Sequence, residues 1–172
     1  MTTIGKLENT PLGTIWIAAS RNGIAGISLW DDEERFVAEM SRLTGAAPKG
    51  NEDPGPIITA ALVELHAYLR GELREFRTPV DWSIIKPFQR EVLELVYAIP
   101  YGQTTSYGAI AGRLGRPGAV RAVGQANATN PIPIIIPCHR VLGADGKLHG
   151  YGARGGIETK AWLLRLEGSW LI

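Results

Sequence analysis

The chain of 172 residues has a single cysteine, Cys138, and only three histidines. One cysteine cannot form an internal disulfide, and three widely separated histidines with one thiol make a poor structural zinc site. We therefore expect no metal and no cofactor. No apolar segment reaches the roughly 18 residues that a membrane helix requires, and the start, MTTIGKLENTPLG, lacks the basic stretch and apolar block of a signal peptide. We expect a soluble, cytoplasmic protein that does not bind membranes.

Acidic residues are scarce in the second half of the chain. Residues 1–82 carry 8 Lys and Arg against 12 Asp and Glu, whereas residues 83–172 carry 10 against 5. Between Glu94 and Asp145 there is no acidic residue at all. The basic half is therefore the candidate for contact with phosphates. Charge alone leaves open the alternative that charges are simply scattered unevenly in a small protein.

The first half of the chain predicts strands followed by helices. Alternating apolar and polar residues flank Arg21-Asn22-Gly23, which predicts a β-hairpin. Acidic residues at 31–34 begin a predicted first helix, a Pro- and Gly-rich loop covers 45–56, and a second predicted helix ends at Gly71. The apolar positions of these two helices are Phe36, Val37, Met40 and Leu43 in the first, and Ile58, Ala61, Leu62, Leu65, Tyr68 and Leu69 in the second.

The second half predicts short helices separated by tight turns. Pro87 fits the first turn of a helix that ends before Pro100. Thr105 or Ser106 can cap a helix in YGAIAGRLG, the residues at 115–118 break it, and AVRAVGQANA forms a second. Two short helices joined by a glycine-containing turn have the outline of a DNA-binding helix-turn-helix. The small residues of the second helix also fit tight packing between helices, so this alternative stays open.

These elements indicate an α/β (α+β) fold with two domains, which a chain of this length can form. We expect residues 1–80 to form a small α/β domain with an antiparallel sheet and helices. Residues 81–172 are expected to form a mainly helical domain with a winged-helix-like helix-turn-helix. The boundary is expected near residues 78–85, in the linker-like segment TPVDWSIIKP.

Cys138 lies at the end of the apolar run PIPIIIP and directly before His139 and Arg140. A free thiol titrates near ~8.5, so a reactive cysteine needs a base or a positive field nearby. Neighbours in a strand point to opposite faces, so a bond between thiol and imidazole requires a turn or a bridging water. The alternatives are a cysteine buried as a small hydrophobic residue and a core histidine satisfied by hydrogen bonds.

From Phe88 to about Gly168 the chain resembles the O6-alkylguanine-DNA alkyltransferase family, also called methylated-DNA-protein-cysteine methyltransferases. The resemblance rests on FQREVLELVYAIPYGQTTSYGAIA, RAVGQANATNPIPIIIPCHRV and GYGARGGIETKAWLLRLEG. It implies a monomer that binds double-stranded DNA containing O6-alkylguanine, flips the base out and transfers the alkyl group once, irreversibly, to its own cysteine. O4-alkylthymine as a substrate and cooperative binding on DNA stay open.

The resemblance also implies residue roles. Cys138 corresponds to the acceptor thiol, His139 to the base that activates it through water, and Glu167 to the carboxylate that orients this base. Tyr107 corresponds to the tyrosine that rotates the target phosphate. Asn130 corresponds to the asparagine that ties the cysteine loop to the helix-turn-helix. The implied DNA contacts, headed by the arginine that fills the vacated stack, are Arg121, Tyr107, Thr104, Ser106, Arg113, Arg116, Ala119, Gln125 and Arg140. The implied lining of the alkyl pocket is Pro133, Tyr151, Gly152, Arg154 and Gly155.

Segment 150–156 is longer than the corresponding segment in its short form, which is common in the family.

Three other functions compete with alkyl transfer. A non-enzymatic protein that flags alkylated bases for other repair factors would typically lack the cysteine at position 138. A plain helix-turn-helix regulator would leave PCHRV unexplained. A cysteine hydrolase would place its thiol and imidazole far apart in sequence.

Overall fold

A computed structural model describes residues 1–50, 52–148, 151 and 155–170. The chain divides into two compact units, Met1–Ile84 and Ile85–Ile172. The first unit combines an antiparallel sheet with helices and the second is mainly helical, which confirms the predicted α+β class. Within the described ranges, no helix is long and apolar enough to cross a membrane.

The first unit is built on an antiparallel sheet of β1 (Thr3–Thr10), β2 (Gly13–Ser20) and β3 (Gly23–Leu29), in that order. The hairpin predicted between the last two strands is confirmed, with Arg21 and Asn22 as its turn. The sequence pattern does not predict β1, because mostly polar residues follow Gly5 in that strand and the alternation is weak.

Two helices cover opposite faces of this sheet. α1 (Glu33–Thr44) is capped by the Asp32 carboxylate and ends at Gly45, which adopts φ 80°. Its Phe36 and Met40 pack against the strand face that carries Trp16. The Trp16 and Phe36 rings are stacked with their centroids 6.3 Å apart, so α1 closes one half of the core.

α2 (Gly55–Leu69) packs on the other face of the sheet. Gly5 pairs with Ile17, and a Cβ added at Gly5 would come within 2.6 Å of Ile58 Cγ2. Because successive strand residues point to opposite faces, Gly5 and Ile17 lie on the face opposite Trp16. Both faces of the sheet are thus covered, which explains why five consecutive residues of β2 are buried.

The described residues of the second unit form four α-helices and one short parallel strand pair. Its described elements are α3 (Pro87–Tyr97), β4 (Thr105–Ser106), α4 (Tyr107–Arg113), α5 (Val120–Ala128), β5 (Val141–Leu142) and α6 (Gly156–Leu166). The helix from Pro87 and the pair of short helices agree with the sequence prediction. The sequence pattern alone does not predict β4, β5 or α6.

The parallel pairing of β4 with β5 brings two distant segments together. Thr105 pairs with Val141 and Ser106 with Leu142. Tyr107 begins α4 directly after β4, and the 3₁₀ turn Cys138–Arg140 ends directly before β5. The strand pair therefore places the start of the helix-turn-helix beside the cysteine.

Candidate functional site

The residues predicted to contact DNA follow the surface of α4, α5 and their connection. A 3₁₀ turn, Pro117–Ala119, joins the two helices. The predicted residues that are exposed are Thr104, Arg113, Arg116, Arg121 and Gln125, and those that are half-buried are Ser106, Tyr107 and Ala119. Because no acidic residue occurs between Glu94 and Asp145, the exposed arginines form a surface that attracts phosphate.

Ser106 has a structural task as well as its predicted DNA contact. Its side-chain oxygen accepts the backbone N–H of Ala109 at 3.0 Å and so caps α4. On the connection, the Arg116 guanidinium carbon lies 5.6 Å from the centroid of the Phe88 ring. The contact between Arg116 and Phe88 joins the turn to α3.

The apolar run before the cysteine is a buried loop held by an asparagine. Asn130 Nδ2 donates to the Ile136 carbonyl at 2.8 Å, and Asn130 Oδ1 accepts the Ile132 N–H at 3.0 Å. Ile134 adopts φ 74°, a conformation that a β-branched side chain rarely takes, and its side chain is 1% exposed. Tight packing therefore fixes the path of the chain into Cys138.

Cys138 is buried at the start of the 3₁₀ turn, with 3% of its surface exposed. Burial raises the pKa of its thiol, since a thiolate is poorly solvated in the interior. Three neighbours lower that pKa: hydrogen bonds from the side chains of Asn130 and Tyr151, and the positive charge of Lys160. The sulfur is therefore buried but surrounded by groups that favour its anion.

His139 and Glu167 form a fully buried pair behind the cysteine. His139 Nε2 lies 2.8 Å from Glu167 Oε1, and neither side chain has exposed surface. An ionised carboxylate only accepts hydrogen bonds, so Nε2 carries the proton and the neutral ring keeps its lone pair on Nδ1. Burial lowers the pKa of His139, and the hydrogen bond and charge of Glu167 counteract this effect in part. The neutral imidazole can thus act as a base.

Arg140 is placed differently from its predicted role as a DNA contact. Its guanidinium donates from Nε to Glu167 Oε2 at 2.9 Å and from Nη2 to Glu167 Oε1 at 2.8 Å. Its Nη1 donates to the Ile99 carbonyl at 2.6 Å. The residue is only 7% exposed, and its guanidinium neutralises the buried carboxylate. These contacts do not by themselves support a DNA contact of Arg140, which stays a prediction.

Lys160 is a functional candidate that the sequence reasoning missed. It lies on the buried face of α6 with no exposed surface. Its Nζ donates to the Val141 carbonyl at 2.7 Å and to the Tyr107 hydroxyl at 3.4 Å. Burial lowers the pKa of Lys160 to about 8, and the negative charge of a Cys138 thiolate opposes this shift. The sequence signal for such a role was a lysine at a position of the helix where an apolar residue is expected.

Tyr107 lies between this lysine and the helix α5. Burial raises the pKa of the Tyr107 phenol, as does the negative charge of a Cys138 thiolate, whereas a hydrogen bond from the Asn127 side chain lowers it. The hydroxyl accepts from Lys160, so its own proton is available to donate. The Tyr107 hydroxyl therefore keeps a proton that it can donate.

Asn127 is the second residue that the sequence reasoning missed. Its Nδ2 donates to the Cys138 carbonyl at 3.2 Å, and the residue is 3% exposed. The signal was a polar residue four positions after Val123, on the buried face of a short helix. Asn127 therefore connects α5 to the cysteine.

The residues predicted to line an alkyl pocket divide into three groups. Pro133 is buried in the loop before the cysteine, and Tyr151 is 9% exposed and hydrogen-bonds the thiol. Gly155 is exposed and precedes α6 with φ 84°. Gly152 and Arg154 lie outside the described residues. Among the described residues no three histidine, cysteine or acidic side chains are grouped so as to hold a metal ion.

Two family models match the chain. The model described as 6-O-methylguanine DNA methyltransferase, DNA binding domain, matches residues 87–169. The model described as 6-O-methylguanine DNA methyltransferase, ribonuclease-like domain, matches residues 4–82. Together they account for most of both compact units.

Known proteins resemble the chain over nearly its whole length. The methylated-DNA--protein-cysteine methyltransferase of Salmonella typhimurium is 40% identical over 167 residues, which cover 95% of this chain and 94% of that protein. The O6-methylguanine methyltransferase of Mycobacterium tuberculosis superposes with a TM-score of 0.77 at 39% identity, covering 100% of this chain and 96% of that one. The structure of Mycobacterium tuberculosis OGT in complex with DNA gives a TM-score of 0.76 at 39% identity, covering 97% and 93%.

Proposed function

The chain belongs to the 6-O-methylguanine DNA methyltransferase family, and we propose that it repairs DNA by moving the alkyl group of O6-alkylguanine onto its own Cys138. The observation that carries this proposal is the arrangement around one sulfur. The thiol lies next to the hydrogen-bonding Asn130 and Tyr151 and the cation of Lys160. The next residue, His139, has an imidazole that is hydrogen-bonded to the buried carboxylate of Glu167.

The first step is binding of double-stranded DNA by the helix-turn-helix. The exposed arginines of α4, α5 and their connection neutralise backbone phosphates. A guanine inside the duplex cannot present its O6 substituent to a buried sulfur, so the nucleotide must be flipped out. Arg121 is long, planar and exposed on α5, and it fills the space that the flipped base leaves. Thr104 and Gln125, which are both exposed, add further contacts to the DNA.

The second step is activation of the thiol. Nδ1 of His139 takes the thiol proton through a water molecule, while Glu167 holds the ring and stabilises the imidazolium that forms. Arg140 keeps Glu167 ionised, so the carboxylate can accept from Nε2. The Lys160 cation stabilises the thiolate by its charge.

The third step is the transfer itself. The sulfur attacks the alkyl carbon, a carbon–sulfur bond forms, and the bond between that carbon and guanine O6 breaks. The electron pair stays on the guanine, and the Tyr107 hydroxyl supplies the proton that neutralises the base. Lys160, which donates to the same hydroxyl, then restores the tyrosine proton. The buried isoleucines of the cysteine loop give the alkyl group an apolar environment.

The product is a thioether, which water does not readily hydrolyse, so each molecule acts once.

We also propose that the protein acts as a monomer in the cytoplasm. Residues 1–80 form its N-terminal domain, and residues 81–172 form the domain that binds DNA and accepts the alkyl group. A quench assay on an oligonucleotide with one O6-methylguanine tests it. Repair should stop at one equivalent of DNA per protein, and Cys138→Ser should bind the DNA but repair none. Repair of several equivalents, or repair by Cys138→Ser, would refute the proposal.

A further inference from the structure

Asn127 lies where α5 meets the acceptor cysteine. Its Nδ2 donates to the Cys138 carbonyl at 3.2 Å, and the same carbonyl accepts the N–H of Val141. α5 also carries Arg121 on its exposed side, six residues earlier, where the helix has turned by about 240°. One short helix therefore presents one side to DNA and holds the cysteine backbone with another.

Packing alone does not explain an amide at this position. Asn127 Oδ1 is buried and has no hydrogen-bond partner in the part of the chain that the structure describes. A buried acceptor without a partner destabilises the fold, and a leucine of similar volume would avoid that cost. The hydrogen bond from Nδ2 to the Cys138 carbonyl is what an asparagine supplies here and a leucine does not.

Asn130 differs from Asn127 in what it holds. Its two side-chain hydrogen bonds to the backbone stay inside the loop, to Ile132 and Ile136. Asn127 belongs to the helix itself and bonds the Cys138 carbonyl. Asn127 therefore links α5 to the peptide of the acceptor cysteine.

We propose that Asn127 is a positioning residue for alkyl transfer, whose amide fixes the Cys138 peptide relative to helix α5 in the geometry that the reaction needs. It acts through that peptide and does not touch the reacting atoms. The inference rests on the proposed function. It predicts a loss in the rate of transfer after DNA has bound, with little change in DNA affinity.

The test is single-turnover transfer from saturating O6-methylguanine duplex to Asn127→Leu and Asn127→Asp. Both variants remove the amide N–H donor to the Cys138 carbonyl, and losing this buried hydrogen bond should slow transfer by about fivefold or more. Val123→Ala is the matched control, because Val123 is buried on α5 one turn before Asn127 and its side chain donates no hydrogen bond. Affinity for undamaged duplex should be unchanged in all three variants. A rate like that of Val123→Ala, or a loss confined to DNA affinity, would overturn the inference.

Failure of the wild-type protein to gain an alkyl group would refute the proposed function itself, whereas equal rates in the wild type and both Asn127 variants would refute only this inference.

Discussion

His139 Nε2 and Glu167 Oε1 lie 2.8 Å apart with both side chains fully buried, and Arg140 donates two hydrogen bonds to the same carboxylate. The carboxylate therefore orients an imidazole and neutralises a guanidinium at once. Removing its charge leaves Arg140 unpaired in the interior, which affects both folding and chemistry.

Glu167→Gln should lower the free energy of unfolding by about 3 kcal/mol or more, because it leaves a buried charge without its counterion. Transfer should also slow, since the imidazole loses the group that fixes its tautomer. Urea unfolding and single-turnover transfer measure the two effects. Glu158→Gln, at an exposed position of α6, is the control. A double variant with Arg140→Met should recover part of the stability; no recovery would contradict the ion-pair explanation.

The buried imidazole of His139 predicts how stability depends on pH. In the folded state, burial lowers the pKa of His139 below its ordinary value of 6.5. Below pH 6.5 the unfolded chain therefore binds a proton that the folded chain does not. The contribution of the neutral imidazole to stability is present above pH 6.5 and is lost as the pH falls towards the folded-state pKa, by up to about 1.4 kcal/mol per pH unit. In His139→Gln this part of the slope should disappear. His66→Gln, exposed on α2, is the control, and an unchanged slope in His139→Gln would be evidence against the explanation.

Lys160→Met should raise the pKa of the Cys138 thiol, because it removes the cation that favours the thiolate. A rise of one unit makes alkylation of the thiol by iodoacetamide about tenfold slower at neutral pH. The pKa of Lys160 is about 8, so the ratio of wild-type to variant rate should shrink above that pH, as the wild type loses its charge. Lys147→Met, at an exposed lysine, should behave as the wild type. A constant ratio across pH 8 would exclude the electrostatic role.

Arg121→Ala should slow repair of duplex DNA by about tenfold or more, since flipping a base costs a few kcal/mol and the variant lacks the side chain that fills the gap. Transfer from the free O6-methylguanine base should be nearly unaffected, because no base has to leave a stack. The ratio of the two rates is the measurement, with Arg21→Ala on the β2–β3 turn as the control. Equal losses on duplex and free base would show that Arg121 acts elsewhere.

Local sequence signals predicted much of the fold. The turn at Arg21-Asn22, the acidic start of α1, Pro87 in a first helical turn and the break at Pro117 each have strong conformational preferences of their own, and each lies where the pattern placed it. β1 forms because it pairs with β2. Its mostly polar residues do not show the alternation that would predict a strand. The turn at Pro11-Leu12 before Gly13 was the usable signal.

The candidate site was predictable only in part, because its geometry depends on contacts between distant segments. The adjacency of Cys138 and His139 is visible in the sequence, but the pairing of the next residue, Arg140, with Glu167 is not. Nothing local distinguishes an arginine that binds phosphate from one that neutralises a buried carboxylate. Lys160 and Asn127 acquire their roles through pairing with segments 19 and 11 residues away.

The central claim is that one sulfur accepts the alkyl group, and mass spectrometry of the protein after mixing with O6-methylguanine DNA tests it most directly. The account predicts a single added methyl group, located on the peptide that contains Cys138. DNA binding with no gain in mass, or a methyl group on any other residue, would contradict it.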